Sequence, residues 1–172
     1  MDSIFAFVEG SALAMWVRGE VPEASYAFPV IVTLHTIGMG FMAGASAAID
    51  LRIVGFAPHI PLKPLGRFLP LFWLSFAVMA FSGILLLIAY PTKALTNPVF
   101  YAKLSLIALA VWLVRYIDTT VLRGANLDQA PLSRRAKAVA FASLVSWIAL
   151  ITAGRLLAYT HKWEMLGVPA LT

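Results

Sequence analysis

Four long apolar stretches constrain the fold of this chain more than any other feature. They lie at about 27–50, 68–90, 99–122 and 137–160, and each is long enough for a helix of roughly 20 residues to cross a bilayer. Only 12% of the 172 residues are charged, which is about half the share in a soluble domain. The sequence therefore predicts one all-α domain over residues 1–172, an integral membrane four-helix bundle.

The N-terminal stretch differs from the four predicted spans. Residues 2–18 are apolar but short, and they contain Glu9. Their apolar side chains recur at helical spacing, which is typical of a helix lying in the membrane interface. The sequence predicts an N-terminal interfacial helix, followed by a polar linker at 19–24. It contains no secretory signal peptide pattern, and it has no cysteine for a disulfide or an iron–sulfur cluster.

The distribution of basic residues predicts the orientation of the bundle. Positive charge accumulates in cytoplasmic loops, and the first and third connections, with their flanks, carry most of the lysine and arginine: Arg52, Lys63, Arg67, Arg115, Arg123, Arg134, Arg135 and Lys137. We therefore expect both termini on the outer side of a bacterial inner membrane. This bias also accounts for the net charge of +5, so the charge does not indicate nucleic acid as a partner.

Three basic residues share the outer half of the predicted spans. His35, Lys103 and Arg155 all fall in the outer half of the bilayer if each residue advances a helix by about 1.5 Å. Charged groups in hydrocarbon are costly and commonly mark functional sites. Asp50 and Arg52, in contrast, are expected to end the first span at the cytoplasmic surface.

An imidazole with two cations suits haem b. His35 is the predicted axial ligand, and Lys103 and Arg155 would meet the two propionates. Tyr159 is among the aromatic residues that could line the ring. A second axial ligand could come from His161 or Met79, but not from Met39, which shares a helix with His35.

Two other ligands remain open on the same residues. His35, Met39 and Met42 form a soft ligand set that suits Cu(I). A quinone would instead accept a hydrogen bond from the histidine. The sequence contains no catalytic triad, phosphate-binding loop or paired carboxylates, and it does not decide whether the protein is an enzyme.

Two runs of residues carry a family resemblance. The run Leu34-His35-Thr36-Ile37-Gly38 is followed by Ala43-Gly44 and then by Asp50-Leu51-Arg52. This pattern resembles the first core helix of small four-helix membrane proteins that include the copper resistance protein D family and the HemJ-type protoporphyrinogen oxidases. The run Phe100-Tyr101-Ala102-Lys103-Leu104 is similar to the lysine-bearing third helix of the HemJ type. The resemblance implies a four-helix core, with haem b in the HemJ type and copper handling in the copper-resistance type.

The sequence thus predicts a haem b-binding protein that transfers electrons near the outer face of the membrane, between a quinone and an outer redox partner. The alternatives are a copper carrier and a cofactor-free accessory subunit of a larger membrane complex. Gly40 and Gly44, with Ala48, form a small-residue face that could admit another helix of this chain or a second copy.

Overall fold

The computed structural model describes residues 2–124 and 132–159, and these residues are all-helical. The prediction of an all-helical chain with four long apolar helices is confirmed: α3, α5, α7 and α8 below are long and apolar enough to cross a membrane. In chain order the elements are α1 (Asp2–Glu9), α2 (Ala12–Arg18), a 3-10 turn (Pro22–Ala24), α3 (Ala27–Val54), α4 (Leu62–Leu65), a 3-10 turn (Gly66–Phe68), α5 (Leu69–Ala89), α6 (Pro91–Leu95), α7 (Pro98–Tyr116), a π-helical segment (Ile117–Leu122) and α8 (Arg134–Tyr159).

Local sequence signals fix the ends of two long helices. Asn97 caps α7 by accepting a hydrogen bond from the Val99 amide at 2.9 Å, with Pro98 in the first helical position. Gly55 ends α3 in the left-handed region at φ 119°, where its amide bonds to the Leu51 carbonyl. Consequently α3 continues about one turn beyond the predicted limit of residue 50.

The N-terminal stretch forms two short helices where a single one was predicted. The break lies at Gly10–Ser11, where the Ser11 hydroxyl caps α2 by accepting from the Ala14 amide at 3.2 Å. α2 buries Val17 against Ile31 of α3 and Ala89 of α5. α1 contacts α6, where Glu9 accepts from the Thr92 amide at 3.2 Å.

Arg18 joins α2 to the end of α5. Its Nη1 donates to the Ala89 carbonyl at 3.0 Å, while Nε and Nη2 form a bidentate pair with Glu20 at 2.7 and 2.9 Å. The guanidinium holds the pKa of the Glu20 carboxyl below its ordinary value, and the carboxylate raises the pKa of Arg18.

The ion pair of Arg18 and Glu20 leads to a prediction about how stability depends on pH. Since the pKa of Glu20 is lowered in the folded protein, its stabilising contribution is present above the ordinary glutamate pKa and is lost as the pH falls through the folded value. We expect the Tm difference between the wild type and Glu20→Gln to be small, because Glu20 is exposed, and to shrink between about pH 6 and about pH 3. A difference that stays constant over this range would contradict the prediction.

The long helices pack around α3 and α8. α3 packs against α5 on one side and α8 on the other, and α7 packs against α8. A first core cluster fills the centre and comprises Met42, Ala45, Phe72, Met79, Ala110, Val114, Trp147 and Leu150. We call the end of the bundle that carries α2 and α6 the α6 end, and the opposite end, with the connection from α3 to α5, the α4 end.

Gly38 lies at a close approach between α3 and α5. A Cβ at this position would lie 3.1 Å from the Ser75 carbonyl oxygen and 3.3 Å from both the backbone N and Cβ of Met79. A side chain at this position would therefore require α3 and α5 to shift apart by at least a few tenths of an ångström. Gly40 and Gly44 have open space where a Cβ would lie, so among the described residues their face does not pack against another helix of this chain. A homo-oligomer through that face stays a prediction.

Candidate functional site

His35 is oriented by hydrogen bonds to α5. Its Nδ1 lies 3.0 Å from the Met79 carbonyl oxygen and 3.1 Å from the Ser82 hydroxyl. A carbonyl can only accept, so Nδ1 carries a proton, and Nε2 keeps its lone pair in the neutral ring. Within the described part of the chain, Nε2 has no hydrogen-bond partner. This arrangement, with one ring nitrogen held by a carbonyl and the other open, is the one that metal-binding histidines use.

Glycine provides the space in which the imidazole lies. A Cβ on Gly83 would be 3.1 Å from Cε1 of His35, so a side chain there would crowd the ring and require it to shift by a few tenths of an ångström. Ser82, next to it, is buried, and its hydroxyl donates to the Val78 carbonyl at 2.7 Å. The ring is thus held at a defined position on α5 while remaining half-buried.

Lys103 lies near His35 although the two residues are on different helices. The ammonium group of α7 and the imidazole of α3 are close enough to interact electrostatically. Both are half-buried, and among residues 2–124 and 132–159 neither has an acidic partner. Two of the three predicted site residues therefore lie within range of each other's charge, and their roles as ligand contacts stay predictions.

The remaining residues predicted at the end of α8 have different placements. Arg155 is exposed and forms no ion pair or hydrogen bond within the described part of the chain. Tyr159 ends α8, but its side chain is outside the described residues, as is the whole of His161. Roles for these three residues as haem contacts stay predictions.

The methionines predicted as ligands belong to the core. The Met79 side chain is buried in the first core cluster with Met42, and Met39 packs against that cluster. As a metal ligand, the thioether of Met79 would have to leave the core. Its backbone carbonyl already serves the site by accepting from His35. The described residues contain no group of three His, Asp or Glu side chains that could hold a metal ion.

Asp50 is a buried residue that the sequence interpretation missed. It was expected at the cytoplasmic surface beside Arg52, but only 1% of it is exposed. The expectation is wrong because α3 continues to Val54, which places Asp50 one turn inside the helix. The glycine at position 55 was the available signal, since a left-handed glycine commonly ends a helix. Arg52 turns away and donates to the Ile60 carbonyl.

The fold and these contacts define a class of protein: an all-helical bundle with four helices long enough to span a membrane and a histidine–lysine pair near one end. Comparison of the chain with family models, curated proteins and solved structures finds no match. The resemblance to the copper resistance protein D and HemJ-type groups therefore rests on the sequence runs quoted above and stays a prediction.

Proposed function

We propose that this protein spans the bacterial inner membrane and binds haem b near the outer face, with His35 as an axial ligand. Electrons would pass through the haem between a quinone and an outer redox partner. In this orientation the α6 end is outside and the α4 end is cytoplasmic.

The surface of the long helices supports insertion in a membrane. Large apolar side chains are exposed on all four, including Phe41 on α3 (56%), Phe81 on α5 (67%), Trp112 on α7 (60%) and Ile148 on α8 (66%). Soluble proteins rarely expose apolar surface on this scale, whereas lipid-facing helices do so throughout. The basic residues at the α4 end supply the orientation.

The observation that carries the haem proposal is the hydrogen bonding of His35. The Met79 carbonyl and Ser82 hold Nδ1, which fixes the tautomer and leaves Nε2 as a ligand. Lys103 supplies a nearby cation for one propionate. A metal-bearing ring with anionic propionates fits these features better than a bare copper ion does, because the positive charge of the lysine would repel the copper ion.

The chain's own contribution is positioning and charge. His35 would hold the iron, Ser82 and the Met79 carbonyl would keep the imidazole ring from rotating, and Lys103 would neutralise a carboxylate. When bound, the haem supplies one-electron oxidation and reduction.

The test is an absorption spectrum of the purified protein, oxidised and then reduced with dithionite, with metal analysis of the same sample. We expect a Soret band and reduced b-type bands in the wild type and their loss in His35→Ala. Ser82→Ala should weaken haem binding by roughly tenfold, since it removes a group that orients the ligand. His59→Ala is the matched control, because His59 is exposed in the connection at the α4 end.

The outcomes separate the alternatives. A Soret band of equal intensity in His35→Ala would overturn the axial assignment. Copper in the purified protein without a Soret band would indicate the copper carrier instead. Folded protein from haem-sufficient cells that carries neither group and co-purifies with other membrane proteins would indicate the accessory subunit.

A further inference from the structure

A second polar cluster lies in the other half of the bundle, far along α3 from His35. It consists of Asp50 and Ser46 on α3 and of Ser143 and Trp147 on α8, and all four residues are buried. The Ser46 hydroxyl donates to Oδ2 of Asp50 at 3.1 Å and lies 3.4 Å from the Ser143 hydroxyl. A carboxyl group in such a position is expensive to bury, so its partners decide what it can do.

The hydrogen bonds of this cluster have a fixed direction. The Trp147 indole can only donate, and its Nε1 lies 2.8 Å from the Ser46 oxygen. The proton of Ser46 is therefore free to point at Oδ2 of Asp50. Trp147 thus donates to Ser46, and Ser46 donates to Oδ2 of Asp50. The other carboxyl oxygen, Oδ1, is left as the atom that can carry a proton.

That other oxygen, Oδ1, is buried without a hydrogen-bond partner. Asp50 also lines a cavity of about 10 Å³, which is the space of a single water molecule. The other lining residues are Ser46 and the apolar Ala45, Ile49, Leu69, Phe72, Val114 and Ile117. Ser46 and Asp50 are the polar residues of this lining, so a water in the cavity would have few hydrogen-bond partners.

Among the described residues, no charged side chain forms an ion pair with Asp50. On α3, Arg52 donates to the Ile60 carbonyl. On α7, the Arg115 guanidinium lies 5.6 Å from the centroid of the Trp73 ring. On the π segment, Asp118 pairs with Arg123 at 3.5 Å. Arg67 before α5 and Lys137 on α8 are exposed. Within the described residues, Asp50 thus has neither a counter-ion nor a competing acid.

We propose that Asp50 is an internal proton-binding site, at which Oδ1 takes up and releases a proton through the cavity between α3, α5 and α7. On release the carboxylic acid becomes a carboxylate, and the proton leaves on water towards the α4 end. The carboxylate keeps its hydrogen bond from Ser46. This proposal is independent of any ligand at His35.

The ligand chemistry of the cavity favours a proton over a metal cation. Sodium, calcium or magnesium would need several oxygen ligands, whereas the cavity offers one open carboxyl oxygen among mainly aliphatic and aromatic side chains. The cavity wall also includes Ile117, the first residue of the π-helical segment. π-helical segments are found frequently at functional sites.

Infrared difference spectroscopy of the purified full-length protein, in lipid and without added haem, tests the proposal. Spectra recorded between about pH 4 and about pH 10 should contain a protonated carboxyl C=O band that disappears at high pH and is missing in Asp50→Asn. The band should shift in D₂O while the amide bands of the helices stay unchanged, because the proton exchanges without unfolding. Ser46→Ala should move the band to higher frequency, since Oδ2 loses a donor.

Asp118→Asn is the matched control, because Asp118 is an aspartate at the same end of the bundle with an arginine partner. Its spectrum should retain the Asp50 band. A band that persists at every pH and ignores D₂O would show a sealed structural proton and overturn the proposal. So would the absence of any Asp50-dependent band. If Asp50→Asn does not fold, the frequency shift in Ser46→Ala decides the assignment: an unshifted band would count against Asp50.

Discussion

Replacing Gly38 with leucine is expected to separate α3 from α5. Even a Cβ at this position would lie 3.1–3.3 Å from backbone atoms of Ser75 and Met79, and a helix backbone cannot move aside as a side chain can. Overpacking of this kind commonly costs 1–3 kcal/mol, and we expect about 3 kcal/mol here. Thermal unfolding followed by circular dichroism in detergent would measure the loss. His35 should also lose its contact with Ser82, because that bond crosses the same interface.

Gly40→Leu is the matched control for this experiment. Both substitutions replace a glycine inside α3 and gain the same helix propensity, so the difference between them isolates packing. Gly40 has open space around it, and we expect a change within about 0.5 kcal/mol, or slight stabilisation. A loss at Gly40 as large as that at Gly38 would contradict the packing of a single chain and would indicate a second copy on the Gly40 face.

The Ser46–Trp147 pair is expected to show strong coupling in a double-mutant cycle. Ser46→Ala leaves the buried indole N–H of Trp147 without its acceptor, which costs about 1–3 kcal/mol. Trp147→Phe removes the donor itself and should cost about 1 kcal/mol. The double variant should lose clearly less than the sum, since the unsatisfied N–H is no longer present.

Ser146→Ala provides the comparison for this cycle. Ser146 is also buried on α8, but its hydroxyl donates only to the Ala142 carbonyl of its own helix at 2.8 Å. We expect a small effect that adds to that of Trp147→Phe. Additivity in the Ser46 cycle as well would mean that the hydrogen bond between α3 and α8 contributes nothing measurable to stability.

The four long helices could be predicted because length and hydropathy alone decide them. The predicted spans at 27–50, 68–90, 99–122 and 137–160 match α3, α5, α7 with its π segment, and α8 to within a few residues at each end. The π-helical segment has no comparable signal, since its sequence, IDTTVL, contains neither a glycine nor a proline to mark a change of helix type.

The rotation of each helix could not be predicted in the same way. In a soluble protein the polar face of a helix identifies its outer side, but helices in lipid are as apolar outside as inside. The pattern of Gly40 and Gly44 therefore left open a contact within the chain or with a second copy; within the described residues the close approach is at Gly38, and a second copy on the Gly40 face stays a prediction. Which face of α3 is packed depends on where the neighbouring helix lies, and that position is set by tertiary packing.

The candidate site was predictable in part for the same reason. His35 and Lys103 were recognisable as ionisable residues at similar depth, and the structure brings them close together. The roles of the Met79 carbonyl and Ser82 were not recognisable, because they depend on which face of α5 meets α3. The burial of Asp50 follows from a helix end that lay about one turn further along the chain than expected.

The contact between Gly83 and His35 also limits how this chain can evolve. A side chain at position 83 would crowd the imidazole ring of His35. A substitution of Gly83 would therefore change the position of the imidazole while residue 35 itself stays the same. Conversely, a lineage that lost the histidine would be released from the requirement for glycine on the neighbouring helix. We therefore expect positions 35 and 83 to vary together among relatives of this chain.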